Sequence, residues 1–496
     1  MSLAGALSIA TGGLANVNRQ MALVSQNVAN ANTPGYATEI GTQQGVTADG
    51  QALGVRTGLT VRNVDAELQA ELFGQNATVA GLQTRQSALQ AIDAAQGTPG
   101  QGSDIASLLG QLRDQFSTLL NSPDSAPQQG QVVSTAATLA QGINALSDAY
   151  TAQRQTAQDN LVSEVTTLNT TLNTIGGLST RIVTLKASGQ SIADLENQRD
   201  AALADLSQLV DVKALEQPSG DLLVATTAGL VLPIHATSPF ATTDVNVQPG
   251  AYYPGGGIGG ITLDGTDVTG QFSGGQIGAN LALRDTTLPT DQAELDEFAQ
   301  NLASRFHAQG LDLFTDPNGN VPLGGGVPVQ NGYVGFAATI QVNPAVQANP
   351  SLVRDGTPNQ NSSNLAGYTG IITAVLNNAL GSNPPLNSNA AGLGPAGNLN
   401  APYAGPTPPF ASPSTLQQLA TAMLAAQSQD SATTSTQADT EQAVQTSLAS
   451  KLSAQSGVNM DAEMSYMIQL QNAYGANAKI ISAVQAMWTQ LLQSVA

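Results

Sequence analysis

The sequence predicts a mainly α-helical chain with β-rich outer segments, in which the two ends of the chain pair with each other. Three observations predict this fold: a regular apolar repeat in the first 28 residues, a helical pattern without proline over residues 128–188, and a change to Val, Thr and Gly after residue 211. We expect a discontinuous coiled coil of the N- and C-terminal helices innermost, a long helical bundle next, and a β or mixed insertion outermost.

The first element is a helix with one narrow apolar stripe. Its apolar residues are spaced alternately four and three positions apart, which is the repeat of a coiled-coil seam. They are Leu3, Leu7, Ala10, Leu14, Val17, Met21, Val24 and Val28. We expect the helix to end before Thr33-Pro34-Gly35, because these residues do not continue a helix. A single long helix cannot bury such a stripe on itself, so the sequence must supply a partner helix.

A second group of helices follows. The helical period returns over residues 66–96, resumes after a predicted N-cap at Ser103, and then holds from residue 127 to Gly189. At 1.5 Å per residue the last of these would be about 90 Å long, which is typical of a rod-shaped domain. We expect the Gly176-Gly177 pair to weaken or kink it, and Ser191 to cap a further helix.

The outer part of the chain is predicted to be β-rich and then mixed. DLLVATTAGLVL and GGITLDGTDVTGQF, within residues 211–285, have the pattern of strands joined by Gly and Asp-Gly turns. A helix is expected at 291–309 and a shorter one at 365–380, and residues 383–413 have the composition of a linker. The helical pattern returns at Ser414.

The C-terminal segment is the predicted partner of the first helix, and it carries two apolar stripes. The first stripe, expected to face the N-terminal helix, is Met460, Met464, Met467, Tyr474, Ile481, Trp488, Leu492 and Val495. The second stripe, expected to face another subunit, is Leu470, Ile480, Val484, Met487 and Leu491. Two stripes imply burial on two sides, and a second copy of the chain is the economical source of the second partner.

These patterns divide the chain into four predicted domains. Residues 1–65 and 457–496 form a terminal coiled-coil domain, and residues 66–210 and 414–456 form a domain of long helices. Residues 211–285 form a β-rich outer domain, and residues 286–413 a mixed α/β segment with the linker.

Composition excludes several classes of function. The net charge is −20, which argues against binding to nucleic acid or to an anionic membrane. Charged residues make up 10% of the chain against an ordinary share of about 25%, which suits a surface that packs against copies or relatives. The chain has no Cys, no apolar run long enough to span a membrane, and no pattern of a cleaved signal peptide.

No catalytic, cofactor or metal site is predicted. Thr315 to Asn320 begins like a calcium loop, but Val321 and Val327 stand where such a loop needs Gly and Glu. Gly255 to Gly260 lacks the Lys-Ser/Thr ending of a phosphate loop. The two histidines, His235 and His307, have no metal-ligand spacing. We therefore expect a structural protein and not an enzyme.

Two pairs of segments carry a family resemblance. Asn27, Asn30, Asn32, Thr33, Pro34, Gly35 and Tyr36 lie in SQNVANANTPGY, which resembles the N-terminal signature of the bacterial flagellar axial family of rod, hook and hook-associated proteins. The segment from Gly457 to Leu492 resembles the C-terminal motif of the same family. DLENQRDAALADLSQLVDV, and more weakly FAQNLASRFHAQGLDLF, resemble segments of the hook-associated branch that forms the first hook–filament junction. Ala37-Thr38 replace the Ser-Arg that often follows this signature.

The resemblance implies a structural adaptor of the flagellum. Such a protein is exported through the flagellar type III channel without a cleaved signal and forms a helical ring on the hook. The hook protein would lie below it, the second junction protein and the filament above it, and a chaperone would bind its C-terminus before export. No nucleic acid, membrane or cofactor is implied. The alternatives are another axial protein, such as a hook or distal rod protein, and a secreted coiled-coil adhesin.

Overall fold

The computed structural model describes residues 3–48, 51–97, 102–322, 332–382 and 415–495. The chain begins with helix α1 (Leu3–Ala29), which is followed by an antiparallel hairpin of β1 (Glu39–Ala48) and β2 (Gln51–Arg62). The sequence TGLTVRNV at residues 57–64 predicts a strand, and its first six residues form the second half of β2. The hairpin pairs Ile40 with Val61 and Gly41 with Thr60, and irregular steps follow along the ladder.

Four long helices come next: α2 (Ala66–Gln96), α3 (Ile105–Asn121), α4 (Ala126–Ala187) and α5 (Ala193–Leu209). The side chains of Asp65, Asp104 and Ser125 accept a hydrogen bond from a backbone N–H in the first turn of α2, α3 and α4. Asp104, and not the predicted Ser103, is thus the cap of α3. Ser191 does not cap α5, because Ile192 occupies the capping position without a side-chain hydrogen bond.

The β-rich part consists of short strands. One three-stranded antiparallel sheet contains β3 (Val212–Glu216), β4 (Leu222–Thr226) and β5 (Val231–Leu232). A second contains β6 (Phe240–Ala241), β7 (Thr262–Leu263) and β8 (Thr266–Asp267). The Asp-Gly turn predicted by the sequence joins β7 to β8, where both of its residues have a positive φ.

The mixed part continues with short elements. Helix α6 (Gly275–Ala282) passes through a π-helical turn into α7 (Leu288–His307), and β9 (Phe314–Thr315) pairs with β10 (Gln341–Val342). Helices α8 (Pro344–Ala348), α9 (Leu352–Asp355) and α10 (Gly370–Ala374) follow. The predicted linker at 383–413 lies outside the described residues. The chain ends with α11 (Leu416–Ser456) and α12 (Met460–Val495).

Two hydrophobic cores lie along α4. The first half of α4 packs with α3, α7, the start of α11 and the segment 311–380. The second half packs with α5, α6 and both three-stranded sheets. The β-rich and mixed regions therefore share their cores with α4, which the sequence pattern does not reveal, and the boundaries at 211 and 286 stay predictions. The mainly α-helical fold class with small β insertions is confirmed.

The two ends of the chain form a separate unit. We call α1, β1, β2 and α12 the terminal unit. Its small core contains Val17 and Val24 of α1 and Leu470 of α12. The two large cores contain residues between Phe73 and Leu424 and include none from the terminal unit. The terminal unit is therefore held to the rest of the chain mainly by polar contacts.

Helix α4 is continuous through Gly176-Gly177, where the sequence predicts a weak point or a kink. At Gly176 a Cβ atom would overlap the backbone carbonyl of Ile234, whereas nothing lies within 4 Å of a Cβ at Gly177. We expect Gly176→Ala to lower the free energy of unfolding by about 1–3 kcal/mol through overpacking. Gly177→Ala should raise it by about 0.5–1 kcal/mol, because alanine favours the helix. Chemical denaturation of both variants measures the difference, and shifts in the same direction would contradict it.

A buried carboxyl group on α4 makes the stability depend on pH. Glu164 Oε1 accepts a hydrogen bond from Asn280 Nδ2 at 2.8 Å, and its buried Oε2 has no partner among the described residues. Burial raises the pKa of Glu164 to about 7, so the folded chain retains a proton that the unfolded chain has lost. Its contribution to stability is complete below about pH 4 and declines as the pH rises to about 7.

We expect Glu164→Gln, which mimics the protonated carboxyl, to stabilise the chain at pH 8 by about 2 kcal/mol. At pH 4 the variant and the original chain should have equal stability. Unfolding midpoints measured between pH 4 and pH 8 test this. Glu71→Gln, at an exposed position of α2, is the matched control and should leave the pH profile unchanged. An equal gain at both pH values would contradict the assignment.

Candidate assembly site

Helices α1 and α12 lie side by side and run in opposite directions. Asn27, near the end of α1, contacts Glu463 at the start of α12, and Tyr466 donates a hydrogen bond to Gln20 at 3.0 Å. Further along, the side chain of Asn477 lies against Gly13. The predicted pairing of the two ends is thus what the structure shows.

The structure places the predicted seam residues of α1 as follows. Val17 and Val24 are buried against α12, with Met21 and Val28 beside them. Ala10 is also buried, and the remaining predicted members, Leu3, Leu7 and Leu14, are half-buried. Every predicted position of α1 whose burial is described therefore lies at least partly inside the unit.

The assignment of each α12 stripe to one face is wrong. The side chains that face α1 come from both stripes, and so do those that remain exposed. Those facing α1 are Met467 and Ile481 of the first stripe, with Leu470 and Val484 of the second. Those exposed by 41–57% are Met460, Met464, Tyr474, Ile480, Met487, Trp488, Leu491 and Leu492. The side chain of Val495 lies outside the described residues.

The error has two physical causes. In a straight α-helix, residues seven positions apart differ in direction by about 20°. A stripe counted in steps of seven from Met460 therefore moves gradually around the helix. The seam also contains two polar residues that a count of apolar residues passes over. These are Glu463, bonded to Asn27, and Asn477, which lies against Gly13.

A second face of α1 is covered by the hairpin, and the apolar pattern gave no sign of it. Asn16 and Gln20 are buried there, and Asn16 accepts a hydrogen bond from Thr57 of β2 at 3.2 Å. Gly41 of β1 lies against Leu23. Polar residues on one side of an otherwise regular helix were the available signal, and only a contact with a strand gives them a reason to be buried.

Asn27 connects three elements of the terminal unit. It is 1% exposed, and its Nδ2 donates to the carbonyl of Glu39 at 2.9 Å and to Glu463 Oε1 at 3.2 Å. Its Oδ1 accepts from the Tyr36 hydroxyl at 3.0 Å and from the Glu39 N–H at 3.1 Å. All four hydrogen-bonding positions of the amide are used. We call Asn27, Tyr36, Glu39 and Glu463 the junction cluster.

Asn197 of α5 connects the terminal unit to the helical domain. Its amide exchanges hydrogen bonds with the backbone of Ala37 and donates to Glu39 Oε1. Arg62 of β2 donates to Asn197 and forms ion pairs with Glu196 at 3.0 Å and Asp200 at 2.5 Å. The signature around Asn27 and the segment around Asn197, which carried separate parts of the resemblance, therefore meet at one place.

The carboxyl groups of the junction cluster are perturbed by burial. Burial raises the pKa of Glu39, the Asp194 carboxylate raises it further, and the hydrogen bond from Asn197 opposes the rise. Burial likewise raises the pKa of Glu463 against the hydrogen bond from Asn27. A raised carboxyl pKa favours the folded state at low pH, so these contacts weaken as the pH rises through the folded pKa values.

The other signature residues shape the turn after α1. Thr33 donates a backbone hydrogen bond to Asn30 at 2.9 Å, and Gly35 has a φ of 75°, which favours glycine. Asn32, Thr33 and Pro34 are exposed. Together these residues line a cleft of about 290 Å³ against Val64 and the last turn of α11. Asn27 and Tyr36 thus hold the unit together, while the residues between them direct the chain out of it.

The described part of the chain offers no metal site and no membrane span. No group of three or more acidic or histidine side chains is placed to hold an ion there. The segment from Thr315 to Asn320, which begins like a calcium loop, is a tight turn. In it, Asp316 Oδ1 accepts hydrogen bonds from the backbone N–H groups of Asn318 and Asn320. No described helix is long and apolar enough to cross a bilayer.

Comparisons with known proteins match three family models of flagellar proteins. Residues 89–321 match the family model of the helical domain of the flagellar hook-associated protein FlgK. Residues 450–494 match the C-terminal model of the flagellar basal body rod proteins FlgEFG, and residues 7–36 match the model of flagella basal body rod proteins. These are structural proteins, which agrees with the expectation that the chain is not an enzyme.

Among solved structures, the chain is similar to the flagellar hook junction protein FlgK from Burkholderia pseudomallei. The identity is 25%, the TM-score is 0.42, and the match covers 51% of this chain and 45% of that one. A comparison with curated proteins gave no match.

Proposed function

We propose that this chain, which belongs to the FlgK type of flagellar hook-associated proteins, forms the ring of subunits that joins the hook to the filament. It is a structural component of the flagellum and assembles with other flagellar proteins. The proposal adds a position, at the distal end of the hook, and a task, which is to make filament growth on the hook possible.

One observation carries the proposal. The terminal unit has a small core of its own, yet nine described apolar side chains of α12 are 41–57% exposed. A soluble monomer rarely exposes so much apolar surface on one helix unless a partner covers it. Covering it would contribute about 25 cal/mol per Å² of apolar surface to assembly. The face carries little charge, because Lys479 is the one charged residue between Met464 and Leu492.

The same observation supports an order of events. The chain is exported through the type III channel without a cleaved signal and reaches the outside of the cell at the hook tip. Before export, a chaperone shields the exposed face of α12. At the tip, α1 and α12 become fully ordered on contact with neighbouring subunits, because a helix pair with so small a core is marginal alone. The hook protein lies below the ring, and the second junction protein and the filament lie above it.

A strain without this protein tests the proposal. We expect complete hooks, no filaments, and flagellin shed into the medium. Labelled protein returned to that strain should lie at the hook tip and restore filaments. Filaments of normal number in the deletion strain would contradict the proposal.

A second candidate has one observation in its favour. The models that match both ends of the chain describe rod proteins, so a place within the hook or distal rod is the alternative. Label along the hook, or below it, would favour that alternative over the junction.

A further inference from the structure

The C-terminal end of α12 projects past the described part of α1. The contacts of Asn27 with Glu463 and of Gly13 with Asn477 set the offset between the helices, which places Leu3 level with about residue 487. From there on, α12 has lost its cover. Met487, Trp488, Leu491 and Leu492 are 48–57% exposed, and we call them the C-terminal overhang.

The hairpin has an exposed apolar face of its own. Gly41 lies against Leu23 of α1, so its neighbour Ile40 points away from the helix, as does Val61, which pairs with Ile40. Together with Leu59, these side chains are 45–49% exposed, and we call the three residues the hairpin patch.

A cleft adjoins the hairpin patch. Leu59 and Val61 line it from one side, together with Val64, and Ile192 of the α4–α5 connection lines it from the other. Its volume is about 280 Å³, enough for one bulky side chain. Its charged neighbours are Arg62 and Glu196, which form an ion pair with each other at 3.0 Å, and Lys186, which pairs with Glu216 at 3.4 Å. An apolar ring could therefore enter without removing an unpaired charge from water.

The hairpin patch and the C-terminal overhang lie at opposite ends of the terminal unit. The patch is near the level of Leu23, whereas the overhang begins at Leu3. Twenty helical residues separate these levels, which corresponds to about 30 Å. The two surfaces therefore cannot meet within one chain, but a head-to-tail contact between copies covers both at once.

We propose that the C-terminal overhang of one copy docks on the hairpin patch of the next, with Trp488 in the cleft beside it. This inference rests on the proposed function, for which it names the contact between neighbouring subunits. The contact joins two different surfaces, so it repeats from copy to copy, as a helical ring requires. Pairing of α12 with α12 across a two-fold axis would end after two copies and leave the hairpin patch exposed.

The composition of both surfaces suits this contact. Trp488 is the sole Trp of the chain, and Trp is the residue type most often found at the energetic centre of an interface. The overhang, from Met487 to Leu492, carries no charge, and Arg56 is the one charged residue within the described part of the hairpin between Ile40 and Val61.

Cysteine cross-linking tests the contact cleanly, because the chain has no Cys. Full-length Leu59→Cys and Trp488→Cys chains are co-expressed in a strain without the native protein, and oxidised hook particles are isolated. We expect covalent dimers when both variants are present and none with either alone. Val231→Cys, 51% exposed on β5, replaces Leu59→Cys as the control and should give no dimer with Trp488→Cys.

The outcomes separate this inference from the proposed function. Subunits present at the hook tip without a 59–488 dimer would overturn the contact and leave the function standing, and dimers of Trp488→Cys alone would show two-fold pairing instead. If the pair fails to reach the tip, Val61→Cys with Leu491→Cys repeats the measurement.

Leu59→Asp should reduce incorporation at least tenfold, whereas Leu215→Asp, 65% exposed on β3, should not. Equal incorporation of these two variants would also overturn the contact.

Discussion

We expect removal of residues 1–36 to abolish incorporation at the hook tip while the helical domain stays folded. The physical reason is the separation of the cores, since both large cores contain residues between Phe73 and Leu424 and none from the terminal unit. Removal of residues 457–496 has the same result, because α1 then loses the helix that covers Val17 and Val24. The measurements are the helical content and melting of each purified variant, and the number of filaments in complemented cells.

The result expected for both truncations is a melting transition of the helical domain close to that of the full chain, with no filaments. Leu215→Asp, a change on the exposed surface of β3, is the control that should keep both properties. If either truncation unfolds the whole chain, the terminal unit is part of one cooperative fold. If either assembles normally, the terminal helices are not the means of assembly.

We expect Asn27→Leu to loosen the terminal unit and to leave the rest of the chain unchanged. The substitution removes the partner of the Tyr36 hydroxyl, of the Glu39 backbone and of Glu463. A buried polar group left without its partner costs about 1–3 kcal/mol, so we expect a local loss of about 3 kcal/mol. Amides of α1 and α12 should then exchange with solvent about a hundredfold faster, as measured by hydrogen exchange, while those of α4 do not change.

Asn32→Leu is the matched control for this prediction. Asn32 belongs to the same signature and receives the same substitution, but it is exposed. It should leave the exchange rates of α1 and α12 as they are. If the two substitutions had similar effects on exchange, the hydrogen bonds of Asn27 would not be what stabilises the terminal unit.

Part of this site could be predicted, and the limits have a physical cause. The pairing of the chain ends followed from an apolar stripe that needed a partner, and the signature drew attention to Asn27 and Tyr36. The roles of Asn16, Gln20 and Glu463 could not be predicted in this way. Each is polar, and each is buried or partly buried where a residue distant in the sequence shares its hydrogen bond.

The sequence by itself determined the local elements. The 62 residues of α4 form one helix because their apolar period is unbroken and proline is absent from its interior, and the turn at Asp264-Gly265 forms where those residues favour a positive φ. Such features depend on residues a few positions apart. Only the tertiary structure decided which face of α12 meets α1 and that the β regions share cores with α4. Those choices depend on contacts between residues hundreds of positions apart, such as Asn27 with Glu463, which the local apolar pattern does not encode.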